Sequence, residues 1–239
     1  MDKVSIVIVT YNAVRDLQNC LDSIKKQTYA PLEVIVVDGL SQDGTVDILK
    51  KNSAIITKWI SEKDNGIYDA MNKALKMVTG NWIYFLGADD LLLPDFSPML
   101  NGLQEKNAIY YGSVLKGKEK YLGYLSPYNQ AKIGICHQSM IYPKRVFDKY
   151  HFDERYPISA DHHLNMKCWA DPDFKIQFAD FVIADFNETG ISSLSKDELF
   201  EKEKSGLMLK YFGFSIWSRF MFRELKWWLF NRANKSISN

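Results

Sequence analysis

Two adjacent carboxylates, Asp89 and Asp90, follow an apolar run that is typical of a buried strand. The run, Trp82–Leu86, ends in the small residues Gly87 and Ala88, which indicate a turn. Neighbouring carboxylates repel each other unless a cation or a donor-rich ligand lies between them. Carboxylate oxygens suit hard divalent ions such as Mg²⁺ and Mn²⁺, which often carry substrate phosphates. The pair therefore predicts a site for a divalent metal and a diphosphate.

Polar residues also follow the other predicted strands of the N-terminal half. Ligands of open parallel sheets bind beyond the carboxyl ends of the strands. One polar strand end would carry little information, but four in succession indicate a single binding edge. These ends are Thr10-Tyr11-Asn12, Asp38, Glu62 with Asp64, and Asp89-Asp90.

The elements that must position these residues follow from the hydrophobic pattern. Short β-branched apolar runs predict strands buried on both faces, with helices between them. This alternation predicts an α/β fold with a Rossmann-like, mostly parallel central sheet flanked by helices. The predicted strands are Val4–Thr10, Glu33–Asp38, Ile55–Ser61 and Asn81–Leu86, and the predicted helices contain Leu17, Leu21 and Ile24 or span Thr45–Lys51 and Tyr68–Val78.

The pattern changes after the acidic pair. From Leu91 to about Tyr150 irregular periodicity and frequent turn residues predict short strands and a long loop. A strand is predicted at Ser139–Tyr142, and a helix at Ser159–Ala170 with Ser159 as its cap. Such irregular regions commonly contribute acceptor pockets.

Composition limits the class of protein. The 239 residues, 46% hydrophobic and 14% aromatic, suit one folded α/β domain or a domain with a short appendage. The three cysteines are far apart without metal spacing, which favours reduced thiols in a cytoplasmic protein. No signal peptide and no apolar stretch of about 18 residues is found, so the sequence predicts a soluble or peripheral protein.

The C-terminal segment is basic and aromatic. Residues 207–239 carry six basic residues against Glu224, a local charge of +5, which leaves −4 for the remainder of a chain of net charge +1. This predicts an amphipathic helix that binds an anionic membrane surface; packing on the catalytic domain or on a homodimer partner is the alternative. The rest of the chain does not resemble a nucleic-acid binder. The helix carries Trp217, Phe220, Met221, Leu225, Trp228 and Leu229, with Arg219, Arg223 and Lys226 between them.

Five short motifs in order carry a family resemblance. They are Thr10-Tyr11-Asn12, Asp38-Gly39 with Asp43-Gly44-Thr45, Asp64 to Asn72 (DNGIYDAMN), Ala88-Asp89-Asp90 and Ala160-Asp161. Together they resemble the family 2 glycosyltransferases of GT-A fold, and most closely the bacterial branch that builds O-antigen, capsule and exopolysaccharide. The resemblance implies an inverting enzyme that uses a nucleoside-diphosphate sugar. It also implies a catalytic domain over residues 1–192, with a nucleotide-binding half (1–90) and an acceptor-binding half (91–192), followed by the extension 193–239.

The resemblance also implies roles for individual residues. Thr10, Tyr11, Asn12 and Asp38 would bind the nucleotide, as would Asp64 and Gly66, while Asp69 and Asn72 would lie near the donor. Asp89 would contact ribose or metal, and Asp90 would bind Mn²⁺ or Mg²⁺ directly. Asp161 would be the general base, with His137, Gln138 and His162 as candidates on the acceptor side. Gly87 departs from the family, because many members place there the first acid of a spaced D-x-D.

Each assignment has a structural alternative. Asp89-Asp90 could cap a turn, and Asp161 could be a helix N-terminal charge favoured by the macrodipole. Asp43 is assigned to a turn, Asp38 to the site, and His163 to the core. The absence of GxGxxG and GxxxxGK[ST] removes support for dinucleotide and P-loop sites.

The sequence thus predicts a metal-dependent inverting glycosyltransferase that uses a UDP-sugar, either glucose, galactose or an N-acetyl form. The predicted acceptor is a polyprenyl-diphosphate-linked saccharide at the inner face of the cytoplasmic membrane. The alternative is an inactive nucleotide-sugar-binding or scaffold protein of the same fold. A nucleotidyltransferase is disfavoured because the loop Asn12–Arg15 lacks the glycines and basic residues that would hold a triphosphate.

Overall fold

The N-terminal half alternates strand and helix, as its apolar pattern predicts. A computed structural model describes residues 1–187 and 196–237, with side chains up to residue 230. Strand β1 lies between β2 and β4, β3 flanks β2, and all four strands are parallel. The elements are β1 (Val4–Thr10), α1 (Leu17–Lys25), β2 (Leu32–Asp38), α2 (Thr45–Lys51), β3 (Lys58–Ser61), α3 (Ile67–Ala74) and β4 (Trp82–Gly87).

The second half extends the same sheet with strands of both directions. The strand order is β3-β2-β1-β4-β8-β6-β9-β5, with β7 paired to β6. Within the described ranges β5, β7 and β8 run against the other six strands, so the predicted α/β class with a mostly parallel sheet is confirmed. The elements are β5 (Leu91–Leu92), α4 (Phe96–Asn101), β6 (Ala108–Lys116), β7 (Glu119–Tyr121), α5 (Pro127–Ile133), a 3₁₀ turn (His137–Ser139), β8 (Met140–Pro143), α6 (Arg145–Lys149), α7 (Ala160–Ala170), β9 (Lys175–Phe186) and α8 (Glu198–Ile237).

Two apolar layers cover the sheet, one on each face. Successive strand residues point to opposite faces. In β1, Ile6 and Ile8 pack in the layer that contains Leu21 of α1, whereas Val7 packs in the layer that contains Met71 of α3. A strand covered on both faces needs no polar side, which is why β1 is almost wholly apolar. The two layers hold the strand ends in fixed positions at the binding edge.

Two predicted element bounds differ from the structure by more than one residue. β3 begins at Lys58 rather than Ile55, because the amides of Ile55 and Ile56 donate to Asn52 O (2.9 and 3.0 Å) in a turn. α3 ends at Ala74 rather than Val78. Beyond it, the Met77 amide donates to Ala74 O (2.8 Å) in the tighter 3₁₀ pattern.

Strand β6, of nine residues, lies inside the segment for which the sequence predicts short strands and a long loop. Its register against β9 shifts between Tyr111 and Ser113. A Cβ on the intervening Gly112 would lie 2.8 Å from Phe181 O, so only glycine fits this close approach. The irregularity interrupts the strand pattern, and β6 is therefore not recognisable from sequence.

Helix α8 is broken at Gly213, whose φ is 78°. The part 198–212 packs on the sheet domain through the fully buried Phe200 and Met208. The part after Gly213 turns back on the first, because Trp217 Nε1 donates to Ser205 Oγ (3.0 Å). The boundary predicted at 192/193 lies outside the described residues. Across residues 1–187 and 196–237, no helix is long and apolar enough to cross a membrane.

Candidate active site

A cleft of about 320 Å³ opens beyond the carboxyl ends of β1 and β4. One wall comes from the loops that follow these strands, and the other from the 3₁₀ turn and the end of β9. The parallel sheet thus places its ligand-sized opening at the edge that the sequence predicts. The predicted site residues that line it are Thr10, Tyr11, Asn12, Asp89, Asp90, His137 and Gln138.

Asp90 joins the two walls of the cleft. It is 1% exposed, and its Oδ2 accepts hydrogen bonds from Gln138 Nε2 (3.0 Å) and Gly87 N (3.1 Å). Its Oδ1 accepts from Asn187 N (2.9 Å). Three donors from separate parts of the chain compensate the burial of this carboxylate. Asp90 therefore fixes the relative position of β4, the 3₁₀ turn and the end of β9.

Asp89 is partly buried and lines the cleft together with a neighbouring cavity of about 450 Å³. Burial raises the pKa of Asp89, and the negative charge of Asp90 raises it further. Burial and Asp90 likewise raise the pKa of Asp185, which lines the neighbouring cavity. The charge of Asp90 thus disfavours the ionised forms of Asp89 and Asp185, and a cation bound beside them would relieve this repulsion.

Gly87 is required by the way in which Asp90 folds back over the turn. A Cβ at this position would lie 2.5 Å from Asp90 Oδ2 and 3.0 Å from Asp89 Oδ1. Here the first acid of a spaced D-x-D would displace the carboxylates that follow it. The departure from the family pattern at Gly87 therefore has a steric cause.

The acidic pair fits a metal that shares its ligands with a substrate. Within residues 1–187 and 196–237, no group of three or more His, Cys, Asp or Glu side chains forms a metal site. Mg²⁺ and Mn²⁺ sites of nucleotide enzymes need only one or two carboxylates, with phosphate and water oxygens completing the shell. In the described part of the chain, the buried Thr10 Oγ1 and Gln138 Oε1 have no hydrogen-bond partner, which leaves polar capacity for a ligand.

The end of β1 is tied to the loop after β2. Asn12 adopts a φ of 49°, its amide donates to Ser41 Oγ (2.8 Å), and its Oδ1 accepts from Gln42 N (3.0 Å). The neighbouring Tyr11 is 66% exposed on the cleft wall. Asn12 thus holds the loop, while Tyr11 presents an aromatic face to the opening.

Asp38 lies behind this edge. It is fully buried, and its carboxylate accepts hydrogen bonds from the amide (3.0 Å) and hydroxyl of Ser41 and from Ser61 Oγ (2.6 Å). These bonds fix the loop after β2 to β3 and occupy the acid that the resemblance assigns to the nucleotide. Asp43 forms a turn as predicted, because its Oδ1 accepts from Thr45 N (3.0 Å).

The loop before α3 presents Asp64 next to Tyr11. A Cβ on Gly39 would lie 2.5 Å from Asp64 Oδ2 and 3.3 Å from Tyr11 Cδ2, so the two side chains meet over that glycine. Gly66 has a φ of 117°, and its amide donates to Asp64 Oδ1 (2.9 Å). Asp69 Oδ2 accepts from Asn65 N (2.8 Å). This loop is preorganised around its own acids.

Asn72 is engaged by the segment before α7. Its Oδ1 accepts from Phe152 N (3.1 Å), and its Nδ2 donates to Phe152 O (3.0 Å) and Glu154 Oε1 (2.9 Å). The amide thus bridges α3 to the segment before α7. These contacts give Asn72 a structural function that requires no bound nucleotide-sugar.

Asp161 and His137 form a pair beside the cleft. Asp161 begins α7, and its Oδ2 lies 3.2 Å from His137 Nδ1, while its Oδ1 accepts from the His162 amide (2.7 Å). Burial alone would raise the pKa of Asp161, but the hydrogen bond and electrostatic attraction of His137, together with the hydrogen bond from the His162 amide, outweigh it and lower the pKa. Asp161 is therefore ionised at neutral pH.

His162 and His163 point away from the cleft into the packing around α7. His162 Nε2 lies 3.1 Å from Gln130 O, and its ring packs 4.9 Å from that of Phe200. Burial lowers the pKa of both histidines to about 4. The structure thus places His162 in the core rather than on the acceptor side, and His163 is structural as predicted.

Several cleft residues were not predicted as site residues from the sequence, among them three polar or aromatic side chains. Asp16 lines the cleft from the loop before α1, and Phe186 and Asn187 line it from the end of β9. Asn187 also donates its amide to Asp90. No local motif marks these residues, and only a prediction of β9 and its pairing with β5 would have placed Phe186 and Asn187 near the acidic pair.

Comparisons with known proteins match this site and fold. The sequence profile of glycosyl transferase family 2 matches residues 5–163. A PGL/p-HBAD biosynthesis glycosyltransferase of Mycobacterium tuberculosis is 33% identical over 211 residues, covering 83% of this chain and 82% of that protein. The glycosyltransferase GlyA of Streptococcus pneumoniae is 33% identical over 118 residues, covering 48% of this chain and 16% of that protein.

Two solved structures show the same fold. S. aureus TarS 1–349 in complex with UDP-GlcNAc superposes with a TM-score of 0.71 at 18% identity, covering 87% of this chain and 67% of that chain. The mannosyltransferase PcManGT from Pyrobaculum calidifontis, in complex with GDP-Man and Mn²⁺, gives 0.62 at 19% identity, covering 87% and 62%. At such identities the likeness concerns the fold, which is that of GT-A glycosyltransferases. The profile match, the mycobacterial relative and the acidic cleft agree, and the chain belongs to glycosyl transferase family 2.

Proposed function

We propose that this protein transfers a sugar from a UDP-sugar to a lipid-linked saccharide, with inversion at the anomeric carbon, in the synthesis of a bacterial surface polysaccharide. The observation that carries this proposal is the meeting of Asp89 and Asp90 with the His137–Asp161 pair at one cleft. A metal–diphosphate site and a proton acceptor are the two parts that such a transfer requires.

The nucleotide occupies the edge formed by the loops after β1 and β3. Tyr11 offers an exposed aromatic face for stacking on a base, and Asp64 lies beside it as a hydrogen-bond acceptor. The loop before α3 is held by its own hydrogen bonds, so little ordering accompanies binding. Uracil is preferred because the TarS relative by fold was solved with UDP-GlcNAc.

Asp89 and Asp90 hold the Mn²⁺ or Mg²⁺ that accompanies the donor. Asp89 contributes the carboxylate that lines the cleft, and Asp90 the one that is buried beneath protein donors. When bound, the ion neutralises negative charge on the departing diphosphate. Gln138 and Asn187 keep Asp90 in place through their hydrogen bonds.

The pair His137–Asp161 receives the proton of the acceptor hydroxyl. It lies on the wall opposite the loops that bind the nucleotide, on elements that come from the second half of the chain. General-base catalysis of this kind contributes about 10²–10⁴-fold to the rate.

The C-terminal part of α8 brings the enzyme to an anionic membrane that contains the acceptor. Between residues 221 and 230 large apolar side chains are exposed, including Phe222 (60%), Trp227 (65%) and Phe230 (66%). Arg223 and Lys226 lie in the same segment, and Arg219 lies just before it. Aromatic and basic residues together suit the interface of an anionic bilayer.

Turnover tests the proposed reaction. UDP release is measured with UDP-glucose, UDP-galactose and their N-acetyl forms, in the presence of Mn²⁺ and decaprenyl-diphosphate-linked N-acetylglucosamine. We expect one donor to be used and the product to have the opposite anomeric configuration by NMR. A product that retains the configuration, or no turnover with any of these donors, would contradict the proposal.

Co-sedimentation tests the membrane part. Binding to phosphatidylglycerol-containing vesicles is compared for the wild type and Trp227→Ala/Phe230→Ala, and we expect roughly tenfold weaker binding for the variant. Tyr124→Ala is the matched control, because Tyr124 is 74% exposed on another part of the surface. Equal binding of wild type and double variant would assign this segment to a protein partner instead.

A further inference from the structure

The contacts of the His137–Asp161 pair differ between its two members. His137 lines the cleft, and the nitrogen that faces Asp161 is Nδ1. Nε2 is the second nitrogen of the ring, and in the part of the chain that the structure describes no hydrogen bond engages it. A histidine held through Nδ1 by a carboxylate is fixed with Nε2 as its proton acceptor.

The carboxylate of Asp161 is already engaged on both sides. Oδ2 faces His137 Nδ1 at 3.2 Å, and Oδ1 accepts the His162 amide at 2.7 Å. Tyr68 approaches the same region, since its hydroxyl donates to Ile158 O (3.0 Å) just before α7. Asp161 is therefore placed to orient His137 rather than to reach a substrate hydroxyl.

The chemistry favours the same division. The lowered pKa of Asp161 makes its carboxylate a weak proton acceptor, because base strength falls with pKa. The same ionised carboxylate is well suited to stabilise an imidazolium that forms beside it. The acidic groups that interact with His137 include Asp161, through its hydrogen bond, and Asp89, through its charge.

Resting on the proposed transfer, we infer that His137 is the catalytic base and that Asp161 is a positioning residue. The acceptor hydroxyl oxygen forms the new bond to the anomeric carbon, and its proton moves to His137 Nε2. The bond between the anomeric carbon and the diphosphate oxygen breaks, and its electron pair leaves with UDP. The imidazolium is stabilised by Asp161 and later releases the proton to solvent.

The tautomer of His137 tests the pair without any substrate. ¹⁵N-NMR of the folded protein at about pH 8 should show the proton on Nδ1 and a bare Nε2. In Asp161→Asn this preference should be lost. His151, which is exposed, provides the reference signal of an unconstrained ring. An Nε2-protonated His137 in the wild type, or a tautomer unaffected by Asp161→Asn, would overturn the inference.

Chemical rescue tests the catalytic role. His137→Ala should lower kcat by about 10²–10⁴-fold with little change in the KM for the UDP-sugar, and added imidazole should restore activity roughly tenfold. Asp161→Asn should lower kcat without rescue, and His151→Ala should leave kcat unchanged. A purely structural role of His137 would give no rescue.

The outcomes separate this inference from the proposed function. A small loss in His137→Ala, with a large loss in Asp161→Asn, would make Asp161 the direct base and overturn the inference while the transferase survives. No turnover by the wild type with any donor would remove the proposed function and the base role with it. The NMR result would then still decide whether the oriented pair exists.

Discussion

The two walls of the cleft are built in different ways. The donor wall, formed by the loops after β1 and β4 with Ile67 at the start of α3, consists mainly of residues that directly follow parallel strands of the sheet. The opposite wall is assembled from the 3₁₀ turn and the end of β9, and α7 contacts it through Asp161 and His137. Its hydrogen bonds join residues that are 24 (His137–Asp161), 48 (Gln138–Asp90) and 97 (Asn187–Asp90) positions apart.

The two walls also differ in the contacts that stabilise them. The loop before α3 is stabilised from nearby, through the bonds of Asp64 to Gly66 and of Asp69 to Asn65, and the loop after β1 is tied to the loop after β2 through Asn12. The opposite wall depends on tertiary contacts that meet at Asp90. Asp90 thus connects the two walls, so a displacement of its carboxylate in one wall also displaces the residues of the other wall that are bonded to it.

The largest expected effect comes from a substitution at that junction. Gly87→Ala places a Cβ within 2.5 Å of Asp90 Oδ2, so the carboxylate must move away from Gln138 and Asn187. We expect turnover of the UDP-sugar to fall by about 10²-fold or more, because displacements of roughly 1 Å cost that much.

Gly206→Ala is the matched control for this variant. Gly206 lies in helix α8, and a Cβ there meets nothing within 4 Å. The control should keep full activity and gain about 0.5–1 kcal/mol in the free energy of unfolding. Normal activity in Gly87→Ala would refute the role of Asp90 as the junction.

A second prediction concerns the packing behind the opposite wall. His162 is buried with a pKa of about 4, against an ordinary value of 6.5. Between pH 6.5 and pH 4, His162 is protonated in the unfolded chain but stays neutral in the folded chain. The free energy of unfolding therefore falls as the pH drops from 6.5 to 4. Over this pH range, the proton uptake linked to His162 lowers the free energy of unfolding by on the order of 3 kcal/mol.

His162→Gln tests that contribution. Urea unfolding between pH 4 and 7 should show a flatter dependence of the free energy of unfolding on pH than the wild type. His151→Gln is the control, because His151 is exposed. If the wild type and His162→Gln have parallel pH dependences, burial of His162 does not govern the acid limit of this wall.

The third prediction, which has a smaller expected effect, distinguishes a structural role of Asn72 from a role in binding UDP. Asn72→Ala removes the amide that bridges α3 to Phe152 and Glu154, and we expect a loss of about 1–3 kcal/mol in the free energy of unfolding. UDP affinity, measured by calorimetry, should change by less than about twofold. Asn101→Ala, at an exposed helix end, is the control for stability. A selective loss of UDP affinity would return Asn72 to the donor site.

The donor wall could be predicted because its information is local. The apolar runs fix β1, β2 and β4, and polar residues at their ends then share one edge, as for Tyr11 and Asp89. One assignment at this wall stays a prediction, because the side chain already accepts hydrogen bonds within the protein. Asp38 is closed off by Ser41 and Ser61, whose hydroxyls carry no sequence signature of this function.

The opposite wall could be predicted only in part. Asp161 and His137 were found through family resemblance, but their contact depends on how α7 packs near the 3₁₀ turn. Asn187 was missed because β9 reaches the acidic pair through pairing with β5 and β6. His162 was misplaced because the side chain next to Asp161 on a helix points in a different direction.

Calorimetric titration of UDP and GDP, with and without Mn²⁺, tests the central claim that the acidic cleft binds a metal–nucleotide. The wild type is compared with Asp89→Asn and with Asp148→Asn, a control at an exposed position of α6. We predict Mn²⁺-dependent binding of UDP that weakens at least about tenfold in Asp89→Asn and persists in Asp148→Asn. UDP binding that needs no Mn²⁺ and is equal in all three proteins, or no binding by the folded wild type, would contradict the account.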